Sequence, residues 1–236
     1  MNINLVCCLF VLDNEKNENI RKNDIKKLKI LINKDGKLPS VVYKKDHMKS
    51  DLKKEIKGIL GTSFFHLEQV FSHNIKDSVD VIYLGLTNIE YIKKLNSSYK
   101  LVDFDLIDNK VIIFDKEKYN YKTKEVVEGK NIEYFHEIKT DDESIKNILL
   151  EILISFKRVR SNIDNTDIVF KLLGDNFTLE DVRATYELIT KTNVDKSNFR
   201  KKIIKYCEKT VSKDEKTGFR PSQRYTFKPL KGDLWI

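Results

Sequence analysis

Asp195-Lys-Ser-Asn-Phe-Arg-Lys-Lys-Ile203 decides the reading of this chain. Asp195 or Ser197 starts a helix whose inner face is Phe199, Ile203 and Tyr206. Lys196, Ser197, Asn198, Arg200, Lys201 and Lys205 fall off that face. Ser197 and Asn198 are short side chains able to bond a phosphate or a base edge in the first turn. Asn and Arg are the side chains that read adenine and guanine in the major groove, which admits an α-helix. Lys201, Lys202 and Lys205 suit phosphates. The competing reading is a charged helix that merely packs.

Outward from this helix, the surroundings form a small domain. Upstream, Asp167–Leu173 reads as a short helix closed by Gly174. Thr178 can cap a second helix whose first turn holds Glu180 and Asp181, with Leu179, Val182, Tyr186 and Ile189 as its stripe. Downstream, Thr210–Val211 and Arg224–Phe227 read as two strands around a loop rich in Lys, Gly and Pro. Three short helices and a hairpin make a winged helix-turn-helix. The loop adds Lys213, Lys216, Arg220 and Arg224, which could reach backbone or minor groove. Between Lys196 and Lys231 there are twelve basic residues and three acids, while the other 200 residues sum to about −1 and the whole chain to +8. A basic segment on a near-neutral body is an electrostatic footprint for a polyanion.

The polar stretch Ser161–Thr166 has no periodicity and marks a domain boundary, giving 1–160 and 161–236. Before it, Asp141–Arg160 is a helix with Ile145, Ile148, Leu149, Ile152, Leu153 and Phe156 on one stripe, acids at its start and bases at its end. Residues 1–140 read mostly as strands: Ile3–Leu12, Leu28–Asn33, Phe64–Phe71, Val79–Leu86, Val111–Phe114 and Asn131–Ile138. Lys34-Asp35-Gly36 is a turn, and Asn74 to Asp77 is another. One helix, about Lys49–Leu60, interrupts the strands and stops at Gly61. Apolar residues make up 40% of the 236, enough for a packed core, and no run approaches the roughly 20 residues of a membrane span. Cys7, Cys8 and Cys207 are an odd, sparse set that suits a reducing cytoplasm, and neighbours on a strand point to opposite faces. The four histidines make no metal-ligand spacing with a cysteine or with one another.

Four segments in order carry a resemblance: Phe177-Thr-Leu-Glu-Asp-Val-Arg183, Tyr186-Glu-Leu-Ile189, Asp195 to Ile203, and Arg220-Pro-Ser-Gln-Arg-Tyr-Thr-Phe227. Together they are similar to the C-terminal winged helix of the Nudix-related transcriptional regulators. Phe219 departs from the Gly or His often found before the Arg-Pro. The front half resembles that family's Nudix-like domain through Leu28-Lys-Ile-Leu-Ile32, Leu38-Pro39 and the helix ending at Gly61. The implied fold is α+β: an N-terminal Nudix-like α/β/α sandwich with a mixed sheet, then a winged helix-turn-helix.

With Gly61 as its last glycine, the Nudix box places Ser40 at its first glycine, Asp46 at its first Glu, Lys54 at its Arg and Glu55 at the next Glu. The final Glu pair falls on Gly58 and Ile59. Carboxylates at i, i+3 and i+4 share a helix face and hold Mg²⁺ against a diphosphate. Of those three only Glu55 stays, so the reading expects no hydrolysis and no cofactor. Ser40 and Val41 also replace the glycine pair of the preceding turn. The resemblance implies a cytoplasmic homodimer on double-stranded operator DNA, responding to a small effector (ADP-ribose, a related NAD metabolite, or a sugar). The alternative is a Nudix hydrolase of nucleoside diphosphate derivatives with a regulatory C-terminal domain. A third reading is a scaffold whose front half has lost its ligand.

Overall fold

A computed structural model describes residues 2–15, 25–43, 48–75, 77–128, 131–164, 167–213 and 222–228. Its centre is strand β1 (Asn2–Glu15). Leu5, Cys7, Leu9 and Val11 enter one hydrophobic core, and Val6, Cys8, Phe10 and Leu12 enter the other. A strand covered on both faces has no polar side to show, which is why its sequence is a continuous apolar run. The adjacent cysteines accordingly lie on opposite faces, both buried and free.

The sheet grows from β1 in both directions. Strand β2 (Ile25–Asn33) pairs with it antiparallel, with Phe10 opposite Ile30. The short β3 (Ser40–Val42) pairs with its first half. Helix α1 (Met48–Leu60) follows, ended by Gly61 at φ +65°. Strand β4 (His66–Ile75) is antiparallel to β5 (Ser78–Asn88), and β5 is parallel to β1. Gly85 on β5 leaves room for its neighbours, since a Cβ there would lie 2.5 Å from a Leu9 methyl. Strands β6 (Tyr99–Ile107), β7 (Val111–Phe114), β8 (Glu117–Glu128) and β9 (Asn131–Ile138) complete a mixed sheet in the order β4-β5-β1-β2-β6-β7-β8-β9, with β3 beside β1.

A helix covers each face of this sheet. On α1, Leu52, Ile56, Ile59 and Leu60 are buried against the Leu5-Cys7-Leu9 side. Helix α2 (Glu143–Asn162) covers the other side with Leu149, Ile152, Leu153, Phe156 and Val159. Asp142 caps α2 by accepting from Ser144 N and Ile145 N. The Phe156 ring lies 5.0 Å from that of Phe104 and 5.8 Å from that of Phe10, the spacing of favourable aromatic pairs. The expected α/β/α sandwich is therefore present.

The chain then forms α3 (Ile168–Leu172), α4 (Leu179–Thr190), α5 (Lys196–Ile203), β10 (Cys207–Lys213) and β11 (Gln223–Phe227). Thr178 and Asp181 close a reciprocal capping box on α4, and Asp195 caps α5. The β10–β11 hairpin packs back through a Phe177–Tyr225 bridge. This is a winged helix, and its core is continuous with the α2 side of the sheet: Val182, Ile189, Phe199 and Tyr225 belong to the same buried cluster as Phe10. Asn88 Nδ2 donates to Leu172 O at 3.0 Å, and Arg160 donates to Thr190 O at 2.6 Å. Lys26 on β2 pairs with Asp181 on α4 at 2.8 Å.

Some limits differ from the sequence reading. β4 starts at His66 rather than Phe64 because hydroxyls hold Phe64: Thr62 Oγ1 accepts from its N–H and Thr87 Oγ1 donates to its carbonyl. β4 then runs through Asn74 and Ile75, so the turn before β5 is tighter than Asn74 to Asp77. Helix α2 continues two residues past Arg160, and Ile163 beyond it is buried.

Candidate nucleic-acid interface

Helix α5 is fixed on its inner side and open on its outer side. Phe199 and Ile203 are buried, and the Phe199 ring packs 5.2 Å from that of Tyr186 on α4. Lys196, Ser197, Asn198, Arg200, Lys201 and Lys202 are exposed, as is Lys205 in the 3₁₀ turn Ile204–Tyr206 that follows. Asp195 Oδ1 accepts from Asn198 N at 2.8 Å, which uses one of the helix's free N-terminal amides.

Three of these cations are already engaged. Lys202 pairs with Asp164 at 2.9 Å, whose carboxyl is held below the usual range by that contact. Lys196 lies 3.7 Å from Glu180, and the Lys205 ammonium sits 4.7 Å from the Tyr206 ring centre. Ser197, Asn198, Arg200 and Lys201 have no side-chain partner among the described residues. They share the outer surface of a rod about 12 Å long, at 1.5 Å rise per residue.

A network that the sequence reading did not single out braces this helix from behind. Arg183 on α4 donates to Glu187 at 2.6 Å and forks onto Glu180. The Arg183 guanidinium holds Glu180's carboxyl low. Glu187 Oε1 also accepts from Val194 N at 3.0 Å, just before α5 begins. The i, i+3 and i+4 spacing of Glu180, Arg183 and Glu187 was the available signal. A cavity of about 220 Å³ lies between the start of α4, α5 and β11, lined by Glu180, Arg183, Lys196, Arg200, Ser222 and Gln223.

The wing is described in part. Arg224 Nη1 donates to Asn176 O at 2.9 Å, turning the guanidinium toward the segment before α4. Gln223 Nε2 donates to Thr210 O at 2.7 Å across the hairpin. Arg220, Lys216 and the side chain of Lys213 lie outside the described residues.

The Nudix-box positions sit on the other half of the chain. Ser40 pairs with Val6 in the sheet and is exposed; Asp46 lies outside the described residues. On α1, Lys54 is exposed and 3.8 Å from Asp51, while Glu55 is half-buried. Gly58 faces open space, and Ile59, 2% exposed, points into the core. The positions of the box's final Glu pair therefore carry no side chain and a core side chain, respectively.

Against known proteins, residues 169–227 match the NrtR DNA-binding winged helix domain. The chain resembles the Nudix-related transcriptional regulators. Three solved structures share its fold over nearly its full length. A MutT/nudix family protein from Enterococcus faecalis is 20% identical, at TM-score 0.65, over 97% of this chain and 88% of that one. Shewanella oneidensis NrtR is 16% identical, at TM-score 0.66, over 96% and 94%. The same NrtR complexed with a 27mer DNA is 14% identical, at TM-score 0.64, over 96% and 94%. No curated protein matches the chain. No helix of the described residues is long and apolar enough to cross a membrane.

Proposed function

We propose that the chain is a ligand-responsive transcriptional regulator whose winged helix binds double-stranded operator DNA. The observation that carries this is α5: a helix anchored by Phe199 and Ile203 that presents Ser197, Asn198, Arg200 and Lys201 outward. The match of 169–227 to a DNA-binding winged helix and the fold shared with an NrtR bound to a 27mer DNA support it. In this reading Asn198 and Arg200 reach base edges, and Ser197, Lys201 and Lys205 reach phosphates. Lys196 begins on Glu180 and Arg224 on Asn176, so both exchange a protein partner for phosphate, and Arg220 extends the wing. Two copies, one per half-site, would act together as a homodimer in the cytoplasm.

The front half, 1–160, then serves as sensor rather than hydrolase. Ile59 in the core and Gly58 without a side chain leave Glu55 alone of the three helix carboxylates. The effector chemistry that suits the fold is ADP-ribose, a related NAD metabolite, or a sugar. A cleft of about 650 Å³ with Phe64 and Tyr91 on one side and Phe170, Phe177 and Phe227 on the other touches both units. A ligand there biases their relative arrangement through its differential affinity, which is what effector control requires.

Footprinting on the DNA upstream of its own gene tests the reading. A protected, two-fold related pair of half-sites about one helical turn apart is expected. Uniform protection of any duplex, or none, contradicts it.

A further inference from the structure

The face of the sheet beneath α2 is largely apolar, and one of its polar patches lies at the β4–β5 edge. There Asn4, Asp80 and His73 lie side by side on β1, β5 and β4, since Asn4 pairs with Asp80 and Asp80 with His73. They share the parity of Val6 on β1 and Ile82 on β5, both in the α2-side core. Glu151 descends on this rung from α2, its side chain 6% exposed, with Oε1 3.0 Å from His73 Nε2. Asn4 Nδ2 donates to Asp80 Oδ1 at 2.7 Å. One ligand atom from each of His73, Asp80 and Glu151 lies within 4.8 Å of the other two.

A carboxyl this buried is accommodated either by a proton or by a positive charge placed against it. Among the described residues Glu151 has no Lys or Arg partner, only His73. We propose that His73, Asp80 and Glu151 form a binding site for a divalent transition-metal ion of the zinc class, which ties α2 to the β4–β5 edge. The donor set is one imidazole and two carboxylates. Imidazole selects zinc-like ions over Mg²⁺ and Ca²⁺, which take oxygen ligands. Two atoms bound at about 2.1 Å to one tetrahedral ion stand roughly 3.4 Å apart, near the 3.0 Å between His73 and Glu151, with the Asp80 ligand atom within 4.8 Å of both. Asn4 does for Asp80 what outer hydrogen-bond partners do for metal ligands: it fixes the carboxylate's orientation. The site is separate from Glu55, which is on α1 and the opposite face. Because α2 leads within a few residues into α3, a cation here fixes the helix from which the C-terminal domain departs.

The test uses the full chain, stripped with chelator and titrated with Co²⁺ and then Zn²⁺. The wild type should show a saturable visible Co²⁺ band at one equivalent, removed by Zn²⁺, and a higher unfolding temperature with Zn²⁺. Asp80→Asn and Glu151→Gln should each weaken binding at least tenfold, and His73→Ala should abolish the band. Absence of a saturable band, or a band that survives in both carboxylate variants, overturns the proposal. If Glu151→Gln does not fold, by circular dichroism, Asp80→Asn alone decides.

Discussion

Replacing Asp181 with alanine should destabilise the protein by about 3 kcal/mol, because Asp181 does two jobs at the join between the sheet and the winged helix. It pairs with Lys26, whose side chain is only 8% exposed, against 31% for Asp181 itself. It also accepts from Thr178 N and Oγ1 at 2.9 and 2.8 Å, closing the cap of α4. Removing one partner of a fully buried pair costs roughly 3–5 kcal/mol, since the other charge is stranded. Asn14 Oδ1, 2.7 Å from Lys26 Nζ, offers that charge some relief, which brings the term to about 2 kcal/mol. Thr178 still accepts from the N–H of residue 181, so only the return half of the capping box is lost, which adds about 1 kcal/mol. Asp181→Asn keeps a cap acceptor and should cost about 2 kcal/mol. Lys26→Met should cost only about 1 kcal/mol, because Asp181 keeps Thr178 and some water. Urea unfolding reads all three; for a chain of this length about 3 kcal/mol lowers the unfolding temperature by roughly 6–12 °C. Acid provides a second check. Burial alone would raise Asp181's carboxyl, but Lys26 and the Thr178 donors outweigh it and hold it below the ordinary range. Its contribution is thus fully present at neutral pH and is lost as pH falls through that lowered value. The gap between wild type and Asp181→Asn should be constant from about pH 6 to 8 and close in strong acid. An alanine variant within about 0.5 kcal/mol of wild type, or a gap indifferent to acid, refutes this account of the join.

Other expectations concern the interface and the front half. Asn198→Ala or Arg200→Ala should weaken binding to the footprinted site by about 1–3 kcal/mol while sparing random duplex, as competition binding would show. Equal loss on both DNAs argues against base readout by α5. Incubation with ADP-ribose or dinucleotides and Mg²⁺ should release no monophosphate; turnover at enzymatic rates contradicts the sensor reading of α1. If the aromatic cleft is the effector site, the metabolite that raises the unfolding temperature of wild type should lose that effect in Phe64→Ala. A shift unchanged in that variant places the effector elsewhere.

The winged helix was legible because each device in it is local. Thr178 and Asp181 stand three residues apart, Asp195 immediately precedes α5, and the Phe199–Ile203 stripe has helical spacing. The same holds for α1, whose stripe is its buried set, and for most of α2, where Leu149, Ile152, Leu153 and Phe156 are buried while Ile145 and Ile148 are half-buried and Val159 joins the core. β1 was readable as a buried strand, but not its parallel partner, since β5 arrives from far along the chain, with Asn2 opposite Ser78. β8 was missed because Lys and Glu interrupt its Tyr and Val residues so that no apolar run stands out, and it is held as a strand by pairing with β7 and β9. β6 does alternate, with Val102, Phe104 and Leu106 inward, and went unnamed although its pattern was there. At the interface, the sequence named the exposed residues of α5 but not which would be engaged. Lys202 meets Asp164 thirty-eight positions away, and no local spacing records that. His73 and Glu151 are seventy-eight positions apart, so the cluster beneath α2 exists only in the folded sheet.

The most direct test of the account is the salt dependence of binding to the chain's own upstream DNA, followed by fluorescence anisotropy for wild type and Lys201→Ala. A charged helix seated on phosphates predicts affinity that falls steeply and linearly in log–log form as salt rises, with the slope reduced by about one unit in the variant. Binding that is absent, or that ignores salt, would contradict the claim that this domain reads a duplex.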